Sequence, residues 1–184
     1  MSKLKKLAII VLISIIFISS FSSTLLALQG GELQGNIINF RELDEAEGEY
    51  EVEAEGEVFF QYEEWEITGN KAWYNSLEGI LNFEGEVELS TPELFASGSK
   101  LIYDQSQSLF TINGDRARIS YQDFEAEAEE IEYFEGEEEL ILKGSVSGRR
   151  GNQEFSARKI TVDLSGERIE LSGDARFRFP REED

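Results

Sequence analysis

The side chains that could do chemistry in this sequence are carboxylates, because most other reactive types are missing. The 184-residue chain has 38 Asp and Glu against 17 Lys and Arg, a formal charge of −21, and no His or Cys. Ser-His-Asp and Cys-His triads, zinc sites with His or Cys ligands and disulfide frameworks are therefore excluded. The acidity also argues against nucleic acid as a partner. Of the kinds of site that use reactive side chains, the composition leaves a paired-acid hydrolase or a cation site with oxygen ligands.

The Glu-rich runs are the places where such a site would be sought. They include residues 127–132 and 135–139, and neither contains the D-x-[DN]-x-[DN]-G loop that orders oxygen ligands around calcium. Such runs more often form a solvated face. We therefore predict no catalytic residues, no metal and no cofactor, and expect that the protein is not an enzyme. Two alternatives stay open, an exported carboxylate-dependent glycoside hydrolase on a β-solenoid and a scaffold of stacked repeats.

The elements that position these carboxylates are predicted to be strands. In the segments 50–55 and 124–129, apolar residues alternate strictly with Glu. A period of two is typical of a half-buried strand. Because charged residues are rarely buried without a partner, the Glu side chains are expected to face water and the apolar ones an interior.

Glycines mark a repeat in this pattern. Gly56, Gly85, Gly114, Gly144 and Gly173 are separated by 29, 29, 30 and 29 residues. Apolar residues recur at fixed offsets around them, and we expect three or four short antiparallel strands in each repeat. A sheet with one apolar face must cover it with another apolar layer. The prediction is an all-β, elongated antiparallel folded sheet with free edges at both ends.

A second element lies between the glycines and combines a small residue, a hydrophobic residue and usually Tyr. Its four copies are Gly69-x-x-Ala72-x-Tyr74, Gly98-x-x-Leu101-x-Tyr103, Ala128-x-x-Ile131-x-Tyr133 and Ala157-x-x-Ile160-x-Val162.

The amino terminus differs in kind from the rest. Lys3, Lys5 and Lys6 precede an apolar run over residues 7–18, and a small residue, Ala27, follows at a plausible cleavage point. Residues 1–27 are therefore predicted to be a signal peptide, or alternatively a membrane anchor that extends to about residue 28. The remainder is expected to be exported, with a β domain over 35–179 and an acidic tail over 180–184.

With these two elements, the chain resembles the OstA-like domain of the lipopolysaccharide transport proteins LptA and LptC. In the sequences of that family, G-[ND]-V and A-D-x-[LAV]-x-[YF] elements recur about thirty residues apart, after a signal peptide or a membrane anchor. The first element is matched by Gly56-Glu-Val58, Gly85-Glu-Val87 and Gly144-Ser-Val146. The Asp of the second element is replaced by Asn70, Ser99, Glu129 and Arg158.

The resemblance implies a fold and a function. The fold would be a β-taco or β-jellyroll whose apolar groove shields the lipid A acyl chains of lipopolysaccharide in the periplasm. The implied partners are an exporter-side LptC-like protein, an outer-membrane LptD-like protein and a head-to-tail homo-oligomer. If the leader stays in the membrane, the alternative is an LptC-like acceptor on the ABC exporter.

Ten inward-facing residues are candidates for the lining of that groove. They are Val58, Phe60, Tyr62, Ile67, Leu81, Phe83, Val87, Leu89, Phe110 and Ile112. The alternative for each is ordinary core packing, since facing sheets fill with side chains by default. Trp65 and Trp73 could mark the mouth of the groove or simply cover the core.

The carboxyl-terminal end differs in charge. Residues 28–114 hold 3 basic and 19 acidic side chains, whereas residues 144–181 hold 8 basic and 5 acidic ones. Arg149, Arg150, Arg176 and Arg178 are therefore candidates for contact with a partner or with lipid phosphates. The alternative is a surface of internal salt bridges.

Overall fold

The structure, a computed structural model, describes residues 31–44, 48–165 and 168–179. The predicted leader over 1–27 and the tail over 180–184 lie outside the described residues. The described part contains one antiparallel sheet of twelve strands and a single 3-10 turn. None of its helices is long and apolar enough to cross a membrane.

The strands follow one another along the sheet as a meander. Their bounds are β1 Glu32–Gln34, β2 Ile37–Asp44, β3 Glu49–Tyr62, β4 Trp65–Asn75, β5 Ile80–Ser90, β6 Leu94–Asp104, β7 Leu109–Tyr121, β8 Phe124–Phe134, β9 Glu139–Arg150, β10 Gln153–Asp163, β11 Arg168–Ser172 and β12 Arg176–Arg178. The 3-10 turn Glu135–Glu137 connects β8 to β9. From β3 to β10, each strand pairs with the next one in the chain, so the predicted antiparallel, all-β sheet is confirmed.

A line of β-bulges crosses the middle of the sheet. Every pairing between β3 and β10 shifts its register there, for example between Glu55 and Val58. Gly56 and Gly85 lie on this bend line with φ of 78° and 79°, a region that glycine enters without steric cost. A bulge bends a strand while its ladder resumes on the far side. The expectation of three or four short strands per repeat is therefore wrong, because each repeat has two long strands of 11–14 residues.

The bend line folds the sheet into two facing layers. Layer 1 extends from the bend line to the turns at 62–65, 90–94, 121–124 and 150–153, and layer 2 extends to the turns at 75–80, 104–109 and 134–139. The layers touch through their inner faces: the rings of Phe60 in layer 1 and Phe83 in layer 2 have centroids 6.4 Å apart. We call the side where the two rows of turns face each other the mouth.

The outer side of the bend line explains why the glycines repeat. A Cβ added to Gly85 would lie 2.6 Å from Asn70 Nδ2, and one added to Gly144 would lie equally close to the Glu129 side chain. Asn70 and Glu129, which stand where the OstA-like element has Asp, thus pack over the glycine of the following strand. Glu129 also accepts hydrogen bonds from the backbone N–H and the hydroxyl of Ser145, at 3.2 and 3.1 Å.

The apolar side chains of both layers form one continuous buried cluster from Ala54 to Val162. Charged residues occupy the outer faces, where exposed pairs such as Lys71–Glu55, at 2.8 Å, link neighbouring strands. Such pairs contribute about 1 kcal/mol at most, so burial of the cluster dominates the stability of the fold.

Candidate functional site

All ten residues predicted to line a groove lie between the two layers. Layer 1 supplies Val58, Phe60, Tyr62, Ile67, Val87 and Leu89, and layer 2 supplies Leu81, Phe83, Phe110 and Ile112. Tyr62 is partly buried at the mouth and the other nine are buried, with Ile67 and Phe83 at 0 % exposure. The side chains of the protein itself thus fill the interior, and contact with a lipid stays a prediction.

Aromatic residues close the mouth, and we call them the aromatic seam. Its members are Tyr62, Trp65 and Tyr121 from layer 1 and Tyr103, Phe110 and Tyr133 from layer 2. Trp65 contacts Tyr103 and Phe110 edge to face, with centroids 4.9 and 4.6 Å apart. Tyr103 stacks on Phe110 at 4.3 Å. The two layers therefore meet ring against ring at the side opposite the bend line.

The two tryptophans, for which the sequence left a place at the mouth or over the core open, occupy different places. Trp65 lies in the mouth and is 7 % exposed. Trp73 lies on the outer face of layer 2, opposite Glu53 and Asn82 in the neighbouring strands. Of the seam tyrosines, sequence reasoning predicted Tyr62 as a groove residue, noted Tyr103 and Tyr133 only as the recurrent Tyr of the second element, and missed Tyr121.

Carboxylates surround the seam from both layers. Glu135, in the 3-10 turn, has its pKa raised by burial and by the charge of Glu63, while a polar contact with the Trp65 side chain opposes this rise. Burial, reinforced by the charge of Glu135, raises the pKa of Tyr103 to about 12. On the layer 1 side, the Tyr121 hydroxyl donates to Glu93 at 3.5 Å. The seam is therefore apolar within and acidic at its rim.

The acidic rim offers no metal site in the part of the chain that the structure describes, since no three Asp or Glu side chains there could hold an ion together. The outer carboxylates likewise face solvent or basic neighbours across the strands.

Three of the predicted arginine candidates, Arg149, Arg176 and Arg178, lie on the outer surface of layer 1, whereas Arg150 stands in the inward-facing row, directly opposite the buried Phe124. Arg149 donates two hydrogen bonds to Glu125, at 3.0 and 2.9 Å, and Arg178 donates one to Glu154 at 2.9 Å. Arg150 pairs with Asp123 at 3.4 Å. Arg149, Arg176 and Arg178 line a shallow depression of about 1200 Å³, and Arg150 lies outside it.

Two split strands form the ends of the sheet. β1 and β2 together cover the outer edge of β3, and β11 and β12 together cover that of β10. Beyond these four strands, the described residues provide no further pairing. Apolar side chains are exposed at both ends, among them Phe40 at 61 % and Phe179 at 71 %.

The chain matches a protein-family model and is similar in fold to solved structures. Residues 110–168 match the family model described as LptA/(LptD N-terminal domain) LPS transport protein. The fold is similar to the crystal structure of LptH, the LptA homologous periplasmic component of the lipopolysaccharide transport device from Pseudomonas aeruginosa. The TM-score is 0.61 at 13% identity, and the match covers 64% of this chain and 95% of that one. No curated protein sequence matches the chain.

Proposed function

Because this chain carries an OstA-like domain of the LptA type, we propose that it is a periplasmic lipopolysaccharide-binding transport protein. It holds the lipid A acyl chains between its two layers and bridges an inner-membrane exporter to an outer-membrane translocon. The observation that carries the proposal is the apolar cluster, which runs from Ala54 to Val162 without interruption. The family and fold are those of a transport protein and not of an enzyme class, and no observation favours the hydrolase.

The physical need for such an interior follows from the lipid. Exposure of acyl chains to water costs about 0.8 kcal/mol per CH2 group. A repeat of about 29 residues presents a similar apolar surface at each step along the sheet. A chain that moves along this interior therefore meets no step at which it must return to water.

The ends of the sheet favour assembly by strand addition, with a second copy or with LptC-like and LptD-like partners. β1 is antiparallel to β3 and β12 is antiparallel to β10, so β12 of one copy can add to β1 of the next without breaking the alternation. On the outer face of layer 1, residues that lie opposite one another in successive strands form a row across the sheet. This row begins at Glu32 of β1 and ends at Arg178 of β12. Head-to-tail addition thus brings opposite charges together.

The leader decides between the two roles within this family. A cleaved leader gives a soluble bridge, whereas retention of residues 1–27 gives an LptC-like acceptor on the exporter. Sequencing the amino terminus of the mature protein distinguishes them.

Neighbouring phenylalanines provide a direct test of lipid binding. Phe60 points between the layers, and Phe59 lies on the outer face opposite Thr68 and Gln34. A photo-reactive benzoylphenylalanine at position 60 should cross-link to lipid A, and the same group at position 59 should not. Equal cross-linking at both positions, or none together with no copurifying lipid A by mass spectrometry, would refute the proposal.

A further inference from the structure

We propose that acyl chains enter and leave the interior sideways, by parting the aromatic seam, and that Trp65 is the residue that holds this seam closed. The inference rests on the proposed function and adds the route of access to it.

The bend line and the mouth hold the layers together in different ways. At the bend line the strands are continuous from one layer to the other, and their pairing resumes on each side of every bulge. At the mouth, the backbone hydrogen bonds of the described turns stay within one row of turns. Examples are Glu135 N–H to Ser108 C=O in layer 2 and Gly151 N–H to Asp123 C=O in layer 1. The mouth can therefore open without loss of backbone hydrogen bonds.

Within the described residues, side chains alone thus join the layers at the mouth, and Trp65 is central among them. Its ring reaches from layer 1 onto Tyr103 and Phe110 of layer 2, and Tyr62 packs behind it at 5.6 Å. Phe110 continues the stack to Tyr133 at 6.1 Å. Aromatic contacts are non-covalent, so the two layers can separate at the seam. When they separate, an acyl chain can cover the rings that become exposed with an equivalent apolar surface.

Charge at the rim opposes closure. The charge of Glu63 of layer 1 raises the pKa of Glu135 of layer 2 across the mouth, and both carboxylates raise the pKa of Tyr62. Farther along, Glu93 of layer 1 and Glu138 of layer 2 both act on Tyr133. Like charges on opposing rims repel when the mouth shuts, so the aromatic contacts close the seam against an electrostatic cost.

The ends of the sheet are the competing route, because apolar side chains such as Phe40 and Phe179 are exposed there. A reversible lock on the mouth separates the two routes. The protein has no Cys, so the double substitution Glu63→Cys and Glu137→Cys places one thiol on each rim of the mouth. A short, reducible bis-maleimide then ties the rims together and leaves Trp65 and Glu135 intact.

A matched control carries the same cross-link within one layer. Gln61 and Glu66 face each other on the outer surface of the β3–β4 hairpin, so Gln61→Cys with Glu66→Cys is tied without bridging the mouth. Lipid A association is followed by native mass spectrometry over time. We expect the locked mouth to slow association about tenfold or more, full recovery after reduction, and no effect in the control.

The outcomes separate the two proposals. If the locked protein takes up lipid A as fast as the control, access through the seam is wrong while lipid binding stands. If the unmodified protein binds no lipid A, the proposed function itself fails. A second variant, Trp65→Phe, should accelerate uptake several-fold, whereas Trp73→Phe on the outer face should leave the rate unchanged. A Trp65→Phe rate equal to that of the unmodified protein overturns the role of Trp65.

Discussion

Trp65 in layer 1 and Tyr103 in layer 2 meet edge to face across the mouth, with their ring centroids 4.9 Å apart. These residues are 38 positions apart in the chain and belong to different repeats. Their contact ties the two layers together at the point farthest from the bend line. The stability of the folded sheet therefore depends on a residue that the proposed route of lipid access requires to move.

Replacement of Trp65 by Ala should destabilise the protein strongly. The indole is buried between two rings of the opposite layer, and loss of a buried Trp typically costs about 3–5 kcal/mol. The free energy of unfolding is measured by urea titration. Trp73→Ala is the matched control: it removes the same side chain from the partly exposed outer face and should cost about 1–2 kcal/mol. Equal costs would mean that Trp65 does not clamp the layers.

Three glycine substitutions, only one of them on the bend line, should separate backbone strain from steric conflict. Gly85→Ala combines a φ of 79° with a Cβ only 2.6 Å from Asn70 Nδ2, and should cost about 2–4 kcal/mol. Gly48 has a φ of 69°, but a Cβ added there would meet no atom within 4 Å, so Gly48→Ala should cost about 1 kcal/mol. Gly136→Ala has neither problem and should change stability by less than about 0.5 kcal/mol. Any other rank order in thermal unfolding contradicts this account.

Glu135 should make the protein less stable as the pH rises. Burial raises its pKa in the folded state, so the folded protein binds the proton more tightly than the unfolded chain. The free energy of unfolding then falls as the pH rises from the ordinary carboxyl range through the raised pKa. Glu135→Gln removes this dependence and should raise the melting temperature at pH 7, by a few degrees at most. The difference should vanish in acid.

Glu125 provides a control of opposite sign for that experiment. Its hydrogen bond with Arg149 lowers its pKa, so its stabilisation is present above the ordinary carboxyl range and is lost as the pH falls through the lowered pKa. Glu125→Gln should therefore lower the melting temperature at pH 7 slightly. Shifts of the same sign in both variants would show that net charge, and not the local environment, determines the effect.

Charge reversal at the carboxyl-terminal edge should weaken self-association. Arg176→Glu with Arg178→Glu makes β12 acidic, so that it repels Glu32 of an added copy. We expect the association constant to fall about tenfold in low salt, with less effect in high salt. Analytical ultracentrifugation measures both. Arg118→Glu, in the same outward row as Arg176 but in the middle of the sheet, is the control and should leave association unchanged.

The fold was predictable because its signals are local and repeated. Alternation within segments such as 50–55 gives the strands, and the spacing of Gly56, Gly85 and the later glycines gives the repeat. The number of strands was not predictable, because a strand that ends and a strand that bends at a bulge leave the same glycine in the sequence. Only the register between Glu55 and Val58 shows that pairing continues past the bend.

The interior was predictable and the mouth was not. The parity of Phe60, Phe83 and Phe110 places them inward whatever the details of the fold. The seam depends instead on which turns meet after folding, for example the turn before Trp65 and the turn that contains Glu135. No periodicity encodes such contacts between separate repeats. The asymmetry of charge was visible in the sequence, but the internal pairs of Arg149 and Arg178 required the structure.

The meander also determines how far one molecule can reach. Ten strands lie side by side along the path from β1 to β11, and neighbouring strands in a sheet are about 4.8 Å apart, so the sheet extends on the order of 45 Å. Longer turns would widen the mouth but would add nothing to this length. An additional repeat of two strands would add about 10 Å. The length of the protein along the sheet is therefore determined by its number of strands, and it changes only in steps of one strand spacing.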